Sequence, residues 1–248
     1  MIYKKNILIY YMNIKNIILG IIVILVIYLL YKYYFDDKKD KVLVRTSDAR
    51  NAQVLSASSL PSGQTTNYTY SIWLYVNDWN YRFGQPKVVF GRVDENNDPA
   101  PSVKLSPSVN NLEVTLATYP TSGNNSGEAV IHNCNVNDIP LQKWVNIILS
   151  LNDRALDLYL DGKLVRTCIL PGVPKVNPSS NIYVCPDGGF SGYISDFRVL
   201  ANAVNPTQAY NIYKEGYTTS SALGRMFNKY RLKFAFVKDN KELNSFEI

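Results

Sequence analysis

Residues 144–170 alternate in a way that strands satisfy and helices do not. Val145, Ile147, Leu149 and Leu151 occupy one parity of a run that starts at Trp144. After a polar break at Asn152-Asp153-Arg154, Leu156, Leu158 and Leu160 repeat the pattern, with Asp157, Tyr159 and Asp161 on the other parity. Successive side chains of a strand point to opposite faces, so each run has one apolar and one mixed side. Asp161-Gly162 then separates the second run from Lys163–Leu170, and Asp-Gly between alternating runs is a strong hairpin signal because both residues tolerate positive φ. Three consecutive antiparallel strands with one apolar side need a second layer to cover them, which predicts an all-β sandwich.

Other segments fill in that sandwich. Tyr68–Val76 carries large side chains on both faces, and further strands are expected at 86–92, 112–118, 128–134 and 181–185, separated by Gly, Pro, Asn and Asp clusters. No repeat of 20–50 residues is visible. Asn205 opens the one helix expected in the domain: it is a good N-cap, Pro206 suits the first helical position, Gln208 completes a capping box, and Gly216 ends the run. Beyond a loop, Tyr230, Leu232, Phe234 and Phe236 alternate with Arg231, Lys233, Ala235 and Val237, which predicts a terminal hairpin returning to the sheet.

The first residues follow a different rule. Asn16 to Tyr31 carries no charge, is bounded by Lys15 and Lys32, and is followed by Tyr33, Tyr34 and Phe35. A helix over 16–35 approaches the roughly 30 Å of a bilayer core, with Lys32 able to snorkel and the Tyr cluster suited to the interface. A cleaved signal peptide fits less well, since no small-x-small site follows, and a buried core helix would not be apolar all round. Membrane sidedness stays open. Lys and Arg tilt the C-terminal part toward the cytosol, whereas the sequons Asn67-Tyr-Thr and Asn124-Asn-Ser would place it outside if used.

Two stretches carry a resemblance. Trp144-Val-Asn-Ile-Ile-Leu-Ser with Leu156-Asp-Leu-Tyr-Leu-Asp-Gly-Lys-Leu-Val resembles the central hairpin of laminin-G-like domains of the concanavalin A-like lectin/glucanase superfamily. Gly189-Phe-Ser-Gly-Tyr-Ile-Ser-Asp-Phe-Arg-Val-Leu resembles their penultimate strand, and Asn205-Pro-Thr-Gln-Ala-Tyr-Asn-Ile-Tyr the short helix after it. The resemblance implies a concanavalin A-like jelly roll that binds glycans, proteins or calcium, with some catalytic relatives. The expected layout is a flank at 1–15, a transmembrane helix at 16–35, a stalk at 36–65 with a first strand near Val42–Val44 or Gln53–Leu55, the sandwich at 66–216, and a C-terminal loop and hairpin at 217–248. A short anchor, a compact jelly roll and an Asn/Ile/Lys/Tyr-rich composition also resemble membrane proteins of large double-stranded DNA viruses.

Charge and cysteine content narrow the function. The net charge of +6 is spread along the 248 residues, which argues against nucleic acid as a partner. Three cysteines (Cys134, Cys168 and Cys185) allow at most one internal disulfide. Hydrolytic relatives carry a Glu-x-Asp-x-Glu-like run on one strand, whereas Glu95, Glu113, Glu128 and Glu215 are isolated here, so no enzyme is expected. His132 and Cys134 share a strand face and are read as structural rather than as a nucleophile pair. Asp94, Asn96 and Asp98 space oxygens as calcium loops do, but without the turn Gly or a distal Glu, so calcium is a weak candidate against a plain turn.

Aromatic residues supply the candidate binding site. Trp73 and Trp144 fall inside predicted strands and are assigned to the core. Trp79, Tyr81, Arg82 and Phe83 sit in a polar loop, where rings beside Asn, Asp and Arg suit sugar stacking or protein docking; the competing reading folds those rings back over the sandwich edge. The sequence therefore predicts a single-pass, membrane-anchored, lectin-like binding module, with lipid partners through 16–35 and a glycan or protein partner for the sandwich, on a membrane that the viral resemblance makes a virion's. The alternatives are a structural virion protein linking membrane to capsid and a degenerate glycoside hydrolase-like enzyme.

Overall fold

The computed structural model describes residues 16, 18–30, 42–61, 66–120, 129–217, 233–238 and 241–247, the last two ranges in backbone only. Its two units divide after Asp40. In the first, residues 18–30 form a helix (α1) whose apolar side chains, Ile18 through Leu30, are exposed. Among the described residues no helix is long and apolar enough to cross a membrane, and the rest of the expected 16–35 span lies outside them.

The second unit runs through β1 (Val42–Val44), β2 (Ser47–Asp48), β3 (Gln53–Leu55), β4 (Asn67–Asp78), β5 (Lys87–Val93), β6 (Pro99–Leu105), β7 (Leu112–Thr118), β8 (Val130–Val136), β9 (Trp144–Asn152), β10 (Ala155–Leu160), β11 (Lys163–Ile169), β12 (Ile182–Val184), β13 (Ser191–Leu200), helix α2 (Pro206–Lys214), β14 (Lys233–Lys238) and β15 (Lys241–Glu247). One antiparallel sheet has the order β1-β13-β4-β9-β10-β11, with β2 also on β13; the other has the order β3-β12-β5-β6-β7-β8. This is the predicted all-β sandwich of two antiparallel sheets. Strands β14 and β15 pair with each other in a hairpin of their own rather than extending either sheet.

The parity of the sequence sets the layers. Tyr68, Tyr70, Ile72, Leu74 and Val76 of β4, Val145 to Leu151 of β9 at alternate positions, and Leu156 and Leu158 of β10 face the second sheet and meet Val89, Phe90, Val103, Leu105, Leu112, Val114 and Leu116. Tyr70, Phe90 and Phe197 form the centre, with ring centroids 5.1 to 6.2 Å apart. The Asp-Gly hairpin closes as expected, with φ of 49° at Asp161 and 70° at Gly162. Both positions offered for a first strand, Val42–Val44 and Gln53–Leu55, form strands (β1 and β3), and with the unforeseen β2 they carry this part of the expected 36–65 stalk into the two sheets, where Val44 and Ala49 are buried. Short strands at a sheet edge carry too few alternating positions to stand out against a polar background. Strand β6 is not among the strands the sequence predicts; it pairs with β5 and β7.

Two devices tie the layers together. Cys134 on β8 and Cys168 on β11 form a disulfide between the last strands of the two sheets, with Cα atoms 6.1 Å apart. Helix α2, capped by reciprocal Asn205–Gln208 hydrogen bonds of 2.9 Å, lays Ala209 and Ile212 on Ile148, Tyr159 and Val204 on the outer face of the first sheet. Beside it Arg198, 4% exposed, is held by the carboxylates of Asp196 and Glu215.

Candidate ligand-binding site

The β4–β5 loop holds the residues expected to bind ligand, and most of them face inward. Trp79 is half-buried and packs on the core. Lys87 at the start of β5 is 1% exposed, puts its ammonium 4.7 Å from the Trp79 ring centroid, and has no hydrogen-bond partner among the described residues. Burial, then the neighbouring Arg82 charge, pulls its pKa below that of an ordinary lysine, against the pull of Asp78. The Tyr81 hydroxyl donates to Gly188 O at 3.1 Å, and the Arg82 guanidinium donates to the carbonyls of Asp187 and Gly189. Arg50 lies over the Tyr81 ring at 5.4 Å. Two of the four, Tyr81 and Arg82, thus pin the loop to the 186–189 turn, while Trp79 packs on the core. Phe83, 60% exposed, is the member of the four that presents a ring to solvent.

A second collection of rings lies on the outer face of the first sheet. Tyr193 on β13, Tyr75 on β4 and Trp144 on β9 are direct cross-strand neighbours, with ring centroids 6.3 and 5.7 Å apart. Tyr217 stacks on Trp144 at 4.6 Å with planes 9° apart and also meets Trp73 edge-on. Trp73, 5% exposed, stacks in turn on Tyr213 of α2. Both tryptophans therefore lie on the outer face of the first sheet: Trp73 is buried as expected, but against Tyr213 and Tyr217, whereas Trp144 is half-buried, a correction to its assignment to the core. The parity that puts Val145 and Ile147 inside puts Trp144 outside, so the signal was in the alternation; what hid it was treating every strand Trp as core.

A laminin G-type model described as the concanavalin A-like lectin/glucanases superfamily matches residues 48–209. The chain belongs to that superfamily. Adhesion G-protein coupled receptor V1 of Danio rerio is 26% identical over 161 residues, 60% of this chain and 2% of the receptor. Among solved structures, the binding domain of botulinum neurotoxin DC in complex with rat synaptotagmin II is 19% identical, with a TM-score of 0.47 over 61% of this chain and 36% of that one. The same toxin domain in complex with SialylT gives 15% identity and a TM-score of 0.48, over 61% of this chain and 36% of that one. The chain thus spans a small part of the receptor and about a third of each toxin chain.

Against the chemistry of this superfamily, the carboxylates of the β5–β6 turn are informative. Asp94 and Asp98 do converge, but on Lys175, a residue only 7% exposed whose ammonium lies 3.0 and 2.8 Å from them. A lysine occupies the position that a calcium ion would need, and Asn96 contributes its backbone N–H to Asp94 rather than an oxygen to the cluster. The calcium candidates therefore do not fit the metal. Nor does Asp94 fit a general-acid role. Burial pushes the Asp94 carboxyl up, but hydrogen bonds from Lys175 and from the Asp98 and Asn96 N–H groups outweigh it and leave the pKa below the usual value. His132 is half-buried, and its neighbour Cys134 has its sulfur committed to the disulfide, which removes the nucleophile from that pair. Lys175 was missed because it sits far along the chain from the acids it neutralises.

Proposed function

We propose that this superfamily member is a non-catalytic, lectin-like binding module held at a membrane by its N-terminal helix and recognising glycans. The observation that carries the reading is the contrast between acids and rings. The Asp94/Asp98 and Asp196/Glu215 carboxylates are neutralised by Lys175 and Arg198, while Tyr193, Tyr217 and Phe83 stay exposed on a rigid scaffold. Reactive chemistry needs acids with distinct protonation states; recognition of a sugar needs fixed rings and hydroxyls. The adhesion receptor among the sequence relatives is consistent with a binding role.

The anchor is supported by the uniform exposure of apolar side chains on α1, which water disfavours and lipid does not. The Cys134–Cys168 bridge supports placing the sandwich on the oxidising side of that membrane. The composition supports a virion membrane, where the sandwich would act as an adhesin. Carbonate extraction of membranes carrying the full chain should leave it in the pellet. A broad glycan array probed with the full chain in detergent should give hits confined to one sugar class. Release into the carbonate supernatant refutes the anchor; an array without hits, with coat proteins co-purifying instead, refutes the lectin role in favour of a structural one.

A further inference from the structure

We propose that the glycan is bound not by the β4–β5 loop but on the outer face of the first sheet, along the ring row Tyr193–Tyr75–Trp144 and its extension Tyr217, and that it is a neutral oligosaccharide docking through the C–H face of its sugar rings. The proposal rests on the lectin reading above and adds the place and the chemical class.

Register makes the row. Because Tyr193, Tyr75 and Trp144 are Cα partners across β13, β4 and β9, their rings are fixed at the sheet's own spacing, and two inter-strand steps span roughly 10 Å, the length of a disaccharide. The rings are tilted by 55° and 57° to one another, so the surface they form is stepped rather than flat. Tyr193 and Tyr217 are 48% and 39% exposed, which leaves ring area to cover and hydroxyls to hydrogen-bond.

Neighbouring groups select against other occupants. The aliphatic part of this face, Ile148 with Val204 beside it, is already covered by Ala209 and Ile212 of α2, and the amphipathic ring row lies beside that cover. At its border Lys143 pairs with Asp161 at 3.5 Å, while Asp48, the Cα partner of Tyr193 on β2, accepts the backbone N–H of Arg50 at 2.9 Å and keeps its negative charge. That carboxylate repels an anionic ligand, whereas a neutral sugar is indifferent to it.

The test uses the full chain in detergent micelles, with lactose, cellobiose, chitobiose and mannobiose as probes in saturation-transfer NMR. At least one should bind with transfer concentrated on ring C–H protons. Tyr193→Ala, at an exposed position, should weaken it about tenfold, Trp144→Phe less, and Phe83→Ala not at all. Thermal melting of each variant confirms the fold. Binding that survives Tyr193→Ala and Tyr217→Ala but is lost with Phe83→Ala overturns this placement and leaves the lectin reading intact. Silence from all four probes and from the array overturns both. A Tyr193→Ala protein that melts markedly lower would show the row to be covered by the chain itself, which also overturns the proposal.

Discussion

Breaking the Cys134–Cys168 bridge is the perturbation whose size the fold fixes best. The two cysteines are 34 residues apart in sequence, on strands at the matching ends of the two sheets. Chain-entropy reasoning for a loop of that length gives about 4 kcal/mol of stabilisation, through restriction of the unfolded chain. For a domain of this size that corresponds to a melting temperature roughly 8 to 15 °C lower for the reduced protein. The same drop is expected for the Cys134→Ala/Cys168→Ala double variant, which also prevents mispairing with Cys185. Thiol titration supplies an independent check. Cys185 is buried, and that burial, with the Asp48 charge, pushes its thiol up to about 12, so the oxidised native protein should show no reactive thiol near neutrality. In denaturant it should show one, and after reduction all three. Three thiols in the unreduced protein, or equal melting of oxidised and reduced samples, would refute the bridge and with it the support for the proposed placement of the sandwich on an oxidising side.

Lys175→Met leaves Asp94 and Asp98 facing each other without a cation, and should cost about 2 to 3 kcal/mol in chemical denaturation, less than a fully buried pair because both acids are partly exposed. Because the folded Asp94 pKa lies below its usual 3.8, its contribution is present above that value and is lost as pH falls through the lowered one, so wild type should lose melting temperature on acidification and Lys175→Met should lose less. Calcium or chelator should move neither protein. Trp79→Ala uncovers the Lys87 ammonium and should destabilise by about 2 to 3 kcal/mol, whereas Phe83→Ala should stay within roughly 0.5 kcal/mol. Gly192→Ala should cost at least about 3 kcal/mol in the same assay, since at φ +153° its Cβ would fall 1.9 Å from the Tyr75 carbonyl oxygen.

What the sequence made legible, and what it did not, follows from the range of the forces involved. Period-2 alternation is local, so β9, β10, β11 and the Asp161-Gly162 turn were readable to within a residue or two, as was the capping box at Asn205. The partner of a charge or a thiol is not local. Nothing near Asp94 announces that Lys175 will neutralise it, and nothing near Cys134 selects Cys168 over Cys185; both choices are made by which strands the sandwich brings side by side. The candidate loop shows the same limit. Trp79, Tyr81 and Arg82 have the composition of a binding loop, yet the turn at 186–189, more than a hundred residues later, offers the carbonyls that draw Tyr81 and Arg82 inward.

The outer-face rings are an intermediate case. Each ring's side of the sheet is a local fact, set by its parity against Ile72, Leu74, Val145 and Ile194. Their alignment into a row is not, because it depends on the registers of β13 on β4 and of β4 on β9, which the hydrogen-bond ladder and the bulge between Ser195 and Arg198 fix together. A slip of one residue in either pairing would send the affected strand's rings into the core and its aliphatic side chains to solvent. The same burial energy that chooses the register for the core therefore places Tyr193, Tyr75 and Trp144 in line on the other side, at no further cost. A surface built this way is as rigid as the sandwich beneath it, which is the property that stacking against a sugar demands and that a loop such as 79–83 would have to obtain from separate contacts.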